Sequence, residues 1–69
     1  MKSGLTPKQQ DLLQFIERHI RRYGYAPSLH EMVEKTGKSL TAVHSLVNGL
    51  HRRGAISRTK YQPRSIRVL

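Results

Sequence analysis

Four side chains within residues 39–53 can hydrogen-bond to the edges of nucleic-acid bases: Thr41, His44, Ser45 and Asn48. An asparagine amide can pair with adenine through two hydrogen bonds, and a hydroxyl can serve several bases. The methyl groups of Thr41 and Ala42 can also contact the methyl group of thymine. Each residue taken singly could instead face solvent, but together they favour base recognition.

The positively charged residues around that stretch are suited to bind phosphate: Lys8, Lys38, Arg52, Arg53 and Lys60. Phosphate contacts position a protein and carry little sequence information. Ser28 and Ser39 precede helices whose first amides could also meet phosphate, with helix capping alone as the alternative role. Among the aromatic residues, Tyr61 is expected to be exposed near a nucleic acid.

The charges are unevenly distributed along the 69 residues, which carry a net charge of +9. Residues 1–34 contain all four acids and five basic residues, a balance of +1, whereas residues 35–69 contain eight basic residues and no acid, a balance of +8. A solvated surface usually mixes the two signs. The separation therefore predicts a polyanionic partner for the C-terminal half.

The stretch that carries these polar residues has the pattern of an amphipathic helix. Its apolar residues recur at i, i+3, i+4 and i+7 within an arc of roughly 100°: Val43, Leu46, Val47 and Leu50. Arg52 and the hydroxyl and amide residues lie near the opposite side. A core can hold such a helix while its polar face enters a groove.

Two earlier helices are predicted from their end signals. Thr6 with Gln9, and Ser28 with Glu31, form capping boxes, and Pro7 suits a first helical position. We expect helices at about 6–23, 28–36 and 39–53, ended by glycines. Phe15, Tyr23 and Tyr25 are expected to fill the core or the space between helices.

After Gly54 the apolar period changes from 3.6 to 2, which predicts strands at about 55–58 and 64–69. Ile56, Ile66 and Val68 are the candidates for the buried face of this hairpin. The predicted fold is mainly α with a small β-hairpin. It is a winged helix-turn-helix of three helices and a two-stranded antiparallel wing, forming a single domain over residues 1–69.

Other classes of function find little support in the residues. There is no cysteine, and His44 and His51 are separated by roughly 10 Å of helix rise, too far to share an ion, so we expect neither metal nor cofactor. We find no paired carboxylates in a likely cleft, no nucleophile beside a base and no phosphate loop, so we expect no enzyme activity and no small-molecule substrate. The sequence has neither a membrane span nor a signal peptide, which favours the cytoplasm.

Four segments carry a resemblance to a known family: LTPKQQDLLQFI, GYAPSLHEM, TAVHSLVNGLHRRGAI and PRSIRVL. Together they resemble the N-terminal DNA-binding domain of LexA-type repressors, which govern the bacterial response to DNA damage (the SOS response). The resemblance implies a winged helix-turn-helix that binds inverted-repeat operators as a pair of subunits. It places base readout at Ser39, Thr41, Ala42, His44 and Ser45, and it places the wing, 59–62, near the DNA backbone.

The sequence departs from that family in three respects. The turn Gly37-Lys38-Ser39 is one residue shorter than in many members, so the base-reading positions are defined to within about one residue. The base-reading positions lack the Asn and Glu pair that some branches of the family carry. The operator sequence of those branches therefore cannot be assigned to this chain. The self-cleaving peptidase domain of such repressors has no counterpart in the 69 residues, so we expect either an excised DNA-binding domain or a small stand-alone regulator.

The predicted function is that of a sequence-specific double-stranded DNA-binding transcriptional regulator, most simply a LexA-like repressor. It would be bacterial or phage-encoded and associated with the nucleoid. The alternative is a basic RNA-binding or protein-interaction winged-helix module. Recognition of single-stranded RNA usually needs exposed aromatic platforms, and here only Tyr61 offers one.

Overall fold

The computed structural model describes residues 4–59 and 64–69 of the chain. Within these residues three helices precede two short strands: α1 Pro7–Tyr23, α2 Leu29–Thr36, α3 Leu40–Arg52, β1 Ile56–Ser57 and β2 Arg67–Val68. The predicted fold class, three helices with a two-stranded antiparallel wing, is confirmed. None of the helices in this described part is long and apolar enough to cross a membrane.

The helices begin where local side-chain hydrogen bonds satisfy their first backbone amides. In the first capping box, the Thr6 hydroxyl accepts from the Gln9 amide (3.1 Å) and Gln9 Oε1 accepts from the Thr6 amide (3.0 Å). Ser28 and Glu31 form the second box at 3.2 and 2.8 Å, and the Ser39 hydroxyl caps α3. Because the cap residues lie outside the helices, each helix begins one residue later than predicted.

The turn between α2 and α3 depends on Gly37, which has a φ of 70° and donates its amide to the Val33 carbonyl. Glycine adopts this left-handed conformation without the steric cost that other residues incur. Only Lys38 and the cap of α3 then separate Gly37 from the third helix. This short turn sets the angle at which α3 leaves α2.

Helix α3 packs against both other helices, and its predicted apolar stripe forms the centre of the core. Val43, Val47 and Leu50 are fully buried, and Leu46 is half-buried at the edge of the core. The core is completed by residues from α1, α2, β1 and the connecting segments: Leu12, Leu13, Ile16, Ala26, Met32, Ala55, Ile56 and Ile66. Burial of one face of α3 leaves its opposite face at the surface.

The wing closes this core from the C-terminal side. Ile56 pairs with Val68 and Ser57 pairs with Arg67 in an antiparallel register. Strand β1 contacts α3 and strand β2 contacts α1. Packing against two helices stabilises a two-stranded sheet that would be marginal by itself in water.

The strands are shorter than the predicted 55–58 and 64–69, and a serine explains much of the difference. The Ser65 hydroxyl accepts from the Thr59 amide and donates to the Thr59 carbonyl, each at 3.0 Å. A side chain thus makes the bonds that a strand backbone would make. Arg64, next to it, has a left-handed φ of 58°, which is incompatible with an extended strand.

Two of the aromatic residues predicted to fill the interior are instead substantially exposed: Tyr23 is 53% and Tyr25 is 48% accessible. Their rings lie 4.6 and 5.5 Å from the imidazole of His19, measured between centroids. His19 is itself buried and bonds through Nδ1 to the Tyr25 carbonyl at 2.8 Å. The partly polar rings therefore cover a buried histidine at the surface, whereas Phe15 is half-buried against the core.

Candidate nucleic-acid interface

The exposed face of α3 forms one side of a shallow groove. Thr41, His44, Ser45, Asn48 and Arg52 all line this groove, so the structure brings five of the predicted site residues together. Thr41, His44, Ser45 and Arg52 are exposed, and Asn48 is half-buried. A continuous strip of hydrogen-bonding groups thus runs along the helix surface.

The first turn of α3 adds two further predicted readers. The Ser39 hydroxyl accepts from the Ala42 amide at 3.1 Å, so one of its two lone pairs already serves the helix cap. Ser39 is exposed and Ala42 is half-buried. The Ser39 hydroxyl hydrogen has no assigned partner among the described residues and remains able to donate.

The opposite side of the groove comes from the first turn of α1, where the Gln9 side chain lies against Gly49 of α3. A Cβ atom added at Gly49 would collide with Nε2 of Gln9, so the glycine leaves room for this side chain against α3. Lys8, which precedes Gln9, is exposed. Gln9 forms this side of the groove, so the positive charge of Lys8 lies on the same turn of α1 as a groove residue.

Three groove residues were not singled out from the sequence as site residues: Gln9, Leu40 and Gly49. Leu40 is 48% exposed, although it is a large apolar side chain. At about 100° per residue, Leu40 lies about 20° from Val47, beside the apolar stripe of α3, so helical periodicity gave no signal that could have identified it. The role of Gln9 in a capping box was evident, but its contact across to α3 depends on tertiary packing.

The remaining predicted phosphate residues in the described part of the chain do not line the groove. Arg53 is exposed, and its guanidinium lies close to the backbone of Gly4. Lys38 is half-buried in the turn before α3, and its amide donates to Thr36 Oγ1 at 3.3 Å. Ser28 lies at the start of α2.

Lys60 and Tyr61, the predicted contacts from the wing, lie outside the described residues. The described part of the wing nevertheless reaches α3 through Arg58. Its Nη2 donates to Asn48 Oδ1 at 2.5 Å, and Asn48 Nδ2 in turn lies 3.2 Å from His44 Nδ1. Arg58 was not among the predicted site residues, because nothing in residues 55–58 of the sequence indicates that this side chain turns towards α3.

A second polar cluster fixes the base of the wing to the link between α1 and α2. Arg64 Nη1 donates to Glu31 Oε1 at 2.6 Å and to the Ala26 carbonyl at 3.1 Å. Its guanidinium carbon also lies 4.7 Å from the centre of the Tyr25 ring. The segments GYAPSLHEM and PRSIRVL, far apart in the chain, thus meet through one arginine.

The same cluster keeps Glu31 ionised and pairs its carboxylate with the guanidinium of Arg64. The backbone amide of Ser28 and the Arg64 guanidinium lower the pKa of Glu31 to about 2, against the opposing effect of its desolvation. Because no acid follows Glu34 in the sequence, α3 and the wing carry no negative side chain. The electrostatic character of the groove is therefore set by donors and cations.

The described residues contain no group of three or more histidine, cysteine, aspartate or glutamate side chains that could hold a metal ion. His44 and His51 are both exposed on α3. The chemistry available at the groove is hydrogen bonding and charge attraction. Both suit the edges of base pairs and the phosphates beside them.

Comparison with known proteins gives a consistent result. The family model described as the LexA DNA binding domain matches residues 2–65. A LexA repressor of Caldicellulosiruptor saccharolyticus is 40% identical over 70 residues, covering 100% of this chain and 35% of the relative. A LexA repressor of Acidiphilium cryptum is 42% identical over 66 residues, covering 94% of this chain and 29% of the relative. The chain thus spans about a third of the length of the curated relatives that it matches.

Proposed function

The chain belongs to the LexA DNA-binding domain family, and from this premise we propose that it is the operator-binding part of a LexA-like transcriptional repressor. Its partner is double-stranded DNA, and α3 lies in the major groove. A bacterial cytoplasmic location, at the nucleoid, is part of the same proposal.

One observation carries this proposal: the outer face of α3 is polar, exposed and free of acids, while the inner face is buried in the core. The major groove of B-DNA, about 12 Å wide, admits an α-helix. Thirteen residues of helix extend for about 20 Å, enough to follow the groove past several base pairs. An acid-free face avoids repulsion from the phosphates on both sides.

Base readout is assigned to the face of α3 and its first turn: Ser39, Thr41, Ala42, His44, Ser45 and Asn48. The hydroxyl groups of Thr41 and Ser45 can serve several bases, and the Ala42 methyl can contact a thymine methyl. These short side chains require α3 to lie deep in the groove. The half-buried position of Ala42 places its methyl close to the helix surface.

Phosphate binding is assigned to the cations and helix starts around that face: Lys8, Ser28, Lys38, Arg52 and Arg53, with Lys60 and Tyr61 from the wing. Arg52 supports this assignment most directly, because it is exposed and lies at the end of the groove. These contacts set the register of α3 on the duplex without themselves selecting a sequence. They also make binding strongly dependent on salt.

Two copies of the chain are proposed to bind the two halves of an inverted-repeat operator. The two-fold symmetry of such an operator matches the symmetry of a protein pair, and the spacing of the half-sites follows from the distance between the two recognition helices. The matched relatives are about three times as long as this chain.

Selection on random DNA duplexes tests the proposal. The expected result is a selected half-site that recurs as an inverted repeat, bound by the chain with an affinity that falls steeply with salt. Competition with duplex RNA and with single strands provides the control for the class of nucleic acid. Equal binding to all duplex sequences, or preferential binding to RNA, would contradict the proposal.

A further inference from the structure

The amide of Asn48 joins the wing to the recognition helix through two hydrogen bonds. Its oxygen accepts from Nη2 of Arg58, the residue that follows β1, at 2.5 Å. Its nitrogen lies 3.2 Å from Nδ1 of His44, one turn earlier on α3. Asn48 therefore uses both halves of its amide within the protein.

The arginine determines which way this amide faces. A guanidinium can donate hydrogen bonds but cannot accept them, so the group of Asn48 that faces Arg58 must be the oxygen. The NH₂ group then faces His44, and it can donate only if Nδ1 of His44 carries no proton. The neutral imidazole consequently carries its proton on Nε2.

Asn48 thus holds two hydrogen-bond donors side by side, one from α3 (His44) and one from the wing (Arg58). His44 is exposed and lines the groove, so its Nε2–H is available to an external acceptor. Arg58 is half-buried, and no carboxylate in residues 4–59 or 64–69 forms an ion pair with it. One of its five N–H donors is used by Asn48, which leaves others for a ligand.

Bidentate pairing of Asn48 with adenine would require the amide to release both partners, since that pairing uses the oxygen and the nitrogen together. Release would also separate Arg58 from α3. If Asn48 keeps its hydrogen bonds to Arg58 and His44, these two residues contact the DNA in its place.

We propose that Asn48, which was grouped above with the base-reading residues, is instead a positioning residue that aligns Arg58 and His44 as two hydrogen-bond donors to DNA, and that Arg58 is a further DNA-contacting residue. This inference rests on the proposed function. The ligand atoms are hydrogen-bond acceptors of the duplex: the N7 or O6 edge of a purine for His44, and either a guanine edge or a phosphate oxygen for Arg58.

A double-mutant cycle on the selected duplex, at one fixed salt concentration, tests the coupling. Arg58→Ala is expected to weaken binding by at least about tenfold, the loss of one charge-assisted hydrogen bond. Asn48→Ala is expected to weaken it about threefold or more. The double variant should lose less affinity than the product of the two single losses, because part of the effect of Asn48 acts through Arg58 and only the part that acts through His44 remains.

Arg67→Ala is the matched control for the change in charge. Arg67 lies on the partner strand and is exposed, and it has no assigned hydrogen bond to α3 in the described structure. Removal of the Arg67 side chain is expected to weaken binding by no more than about threefold, because it removes one positive charge without removing a specific contact. If Arg58→Ala weakens binding no more than Arg67→Ala does, Arg58 is not a specific contact and the inference is overturned.

Binding profiles over the randomised library distinguish the two acceptors and test the role of Asn48. A loss that Arg58→Ala and Asn48→Ala share at one base pair assigns a guanine edge, and a shared uniform loss assigns a phosphate. Both results support the inference. If Asn48→Ala alone relaxes the preference at one base pair, Asn48 reads that base itself and the inference fails.

The tautomer of His44 provides a measurement that does not depend on binding. Long-range ¹H–¹⁵N spectra at a pH of about 8.5, where free imidazole is neutral, should show the proton on Nε2 in the parent chain. In Asn48→Asp a carboxylate faces the ring and accepts from Nδ1–H, so the proton is expected to move to Nδ1. An unchanged tautomer would show that residue 48 does not orient His44 and would overturn this part of the inference.

The two proposals fail in different ways. If the parent chain selects no duplex sequence, the proposed function fails, whatever the spectra of His44 show. If the parent chain binds its selected duplex while the Arg58 and Asn48 substitutions act additively, the proposed function stands and the positioning role of Asn48 fails.

Discussion

Gly49→Ala tests the close approach of α1 and α3 at the groove. A glycine in the interior of a helix costs about 1 kcal/mol relative to alanine, so the substitution alone should stabilise α3. The added methyl, however, would collide with Nε2 of Gln9 and must displace that side chain. The gain in helix propensity and the cost of displacing Gln9 therefore oppose one another.

The cost of the displacement follows from the capping box. Gln9 Oε1 accepts from the amide of Thr6 at 3.0 Å, and loss of one such bond costs about 1 kcal/mol. Gly49→Ala should consequently leave the free energy of unfolding nearly unchanged. In a Gln9→Ala background the obstacle is absent, and the same substitution should add about 1 kcal/mol.

Thermal and urea unfolding of the parent chain, both single variants and the double variant measure this coupling. Gly49→Ala should raise the midpoint of Gln9→Ala by roughly 4–8 °C and that of the parent chain by much less. Equal rises of the unfolding midpoint in both backgrounds would show that the Gln9 side chain moves aside and still accepts the hydrogen bond from the Thr6 amide. A loss above about 2 kcal/mol in both backgrounds would show that backbone, and not a side chain, limits the approach.

Three further predictions concern stability in acid, the division of roles at the groove and the core. The pKa of Glu31, lowered to about 2 from 4.5, means that its stabilising contribution is present above pH 4.5 and is lost as the pH falls towards 2; acid unfolding of Glu31→Gln should be less steep over that window, and an identical acid transition would contradict this. Arg52→Ala should weaken binding to all duplexes alike, whereas Ser45→Ala should change the preference at one position, and library profiles that were the same for both variants would refute the assignment. Leu50→Ala, at a fully buried position, should cost about 2–5 kcal/mol, most of the stability of so small a domain, and circular dichroism that showed a folded chain with an unchanged midpoint would contradict the core.

Much of the fold could be predicted because its signals are local. The caps at Thr6, Ser28 and Ser39 each act on an amide three residues later, so a short stretch of sequence contains both partners. The apolar stripe of α3 also repeats within four residues. Local periodicity was sufficient to divide α3 into a buried face and an exposed one.

The strand limits were predicted less well because their determinants are not periodic. Ser65 replaces backbone pairing with side-chain bonds to Thr59, and the left-handed Arg64 interrupts the extended chain. Neither a serine nor an arginine signals such behaviour in a sequence. The partial exposure of Tyr23 and Tyr25 likewise depends on a histidine that packs beneath them.

The amino-acid sequence alone therefore specified the three helices, the polar side of α3 and the excess of positive charge after residue 34, since each depends on neighbours along the chain. It could not specify the pairs that close the domain. Arg58 meets Asn48 ten residues away, and Arg64 meets the Ala26 carbonyl 38 residues away. Such hydrogen bonds form only when the helices and the wing pack together, because packing brings donors and acceptors that are distant in sequence within hydrogen-bonding distance.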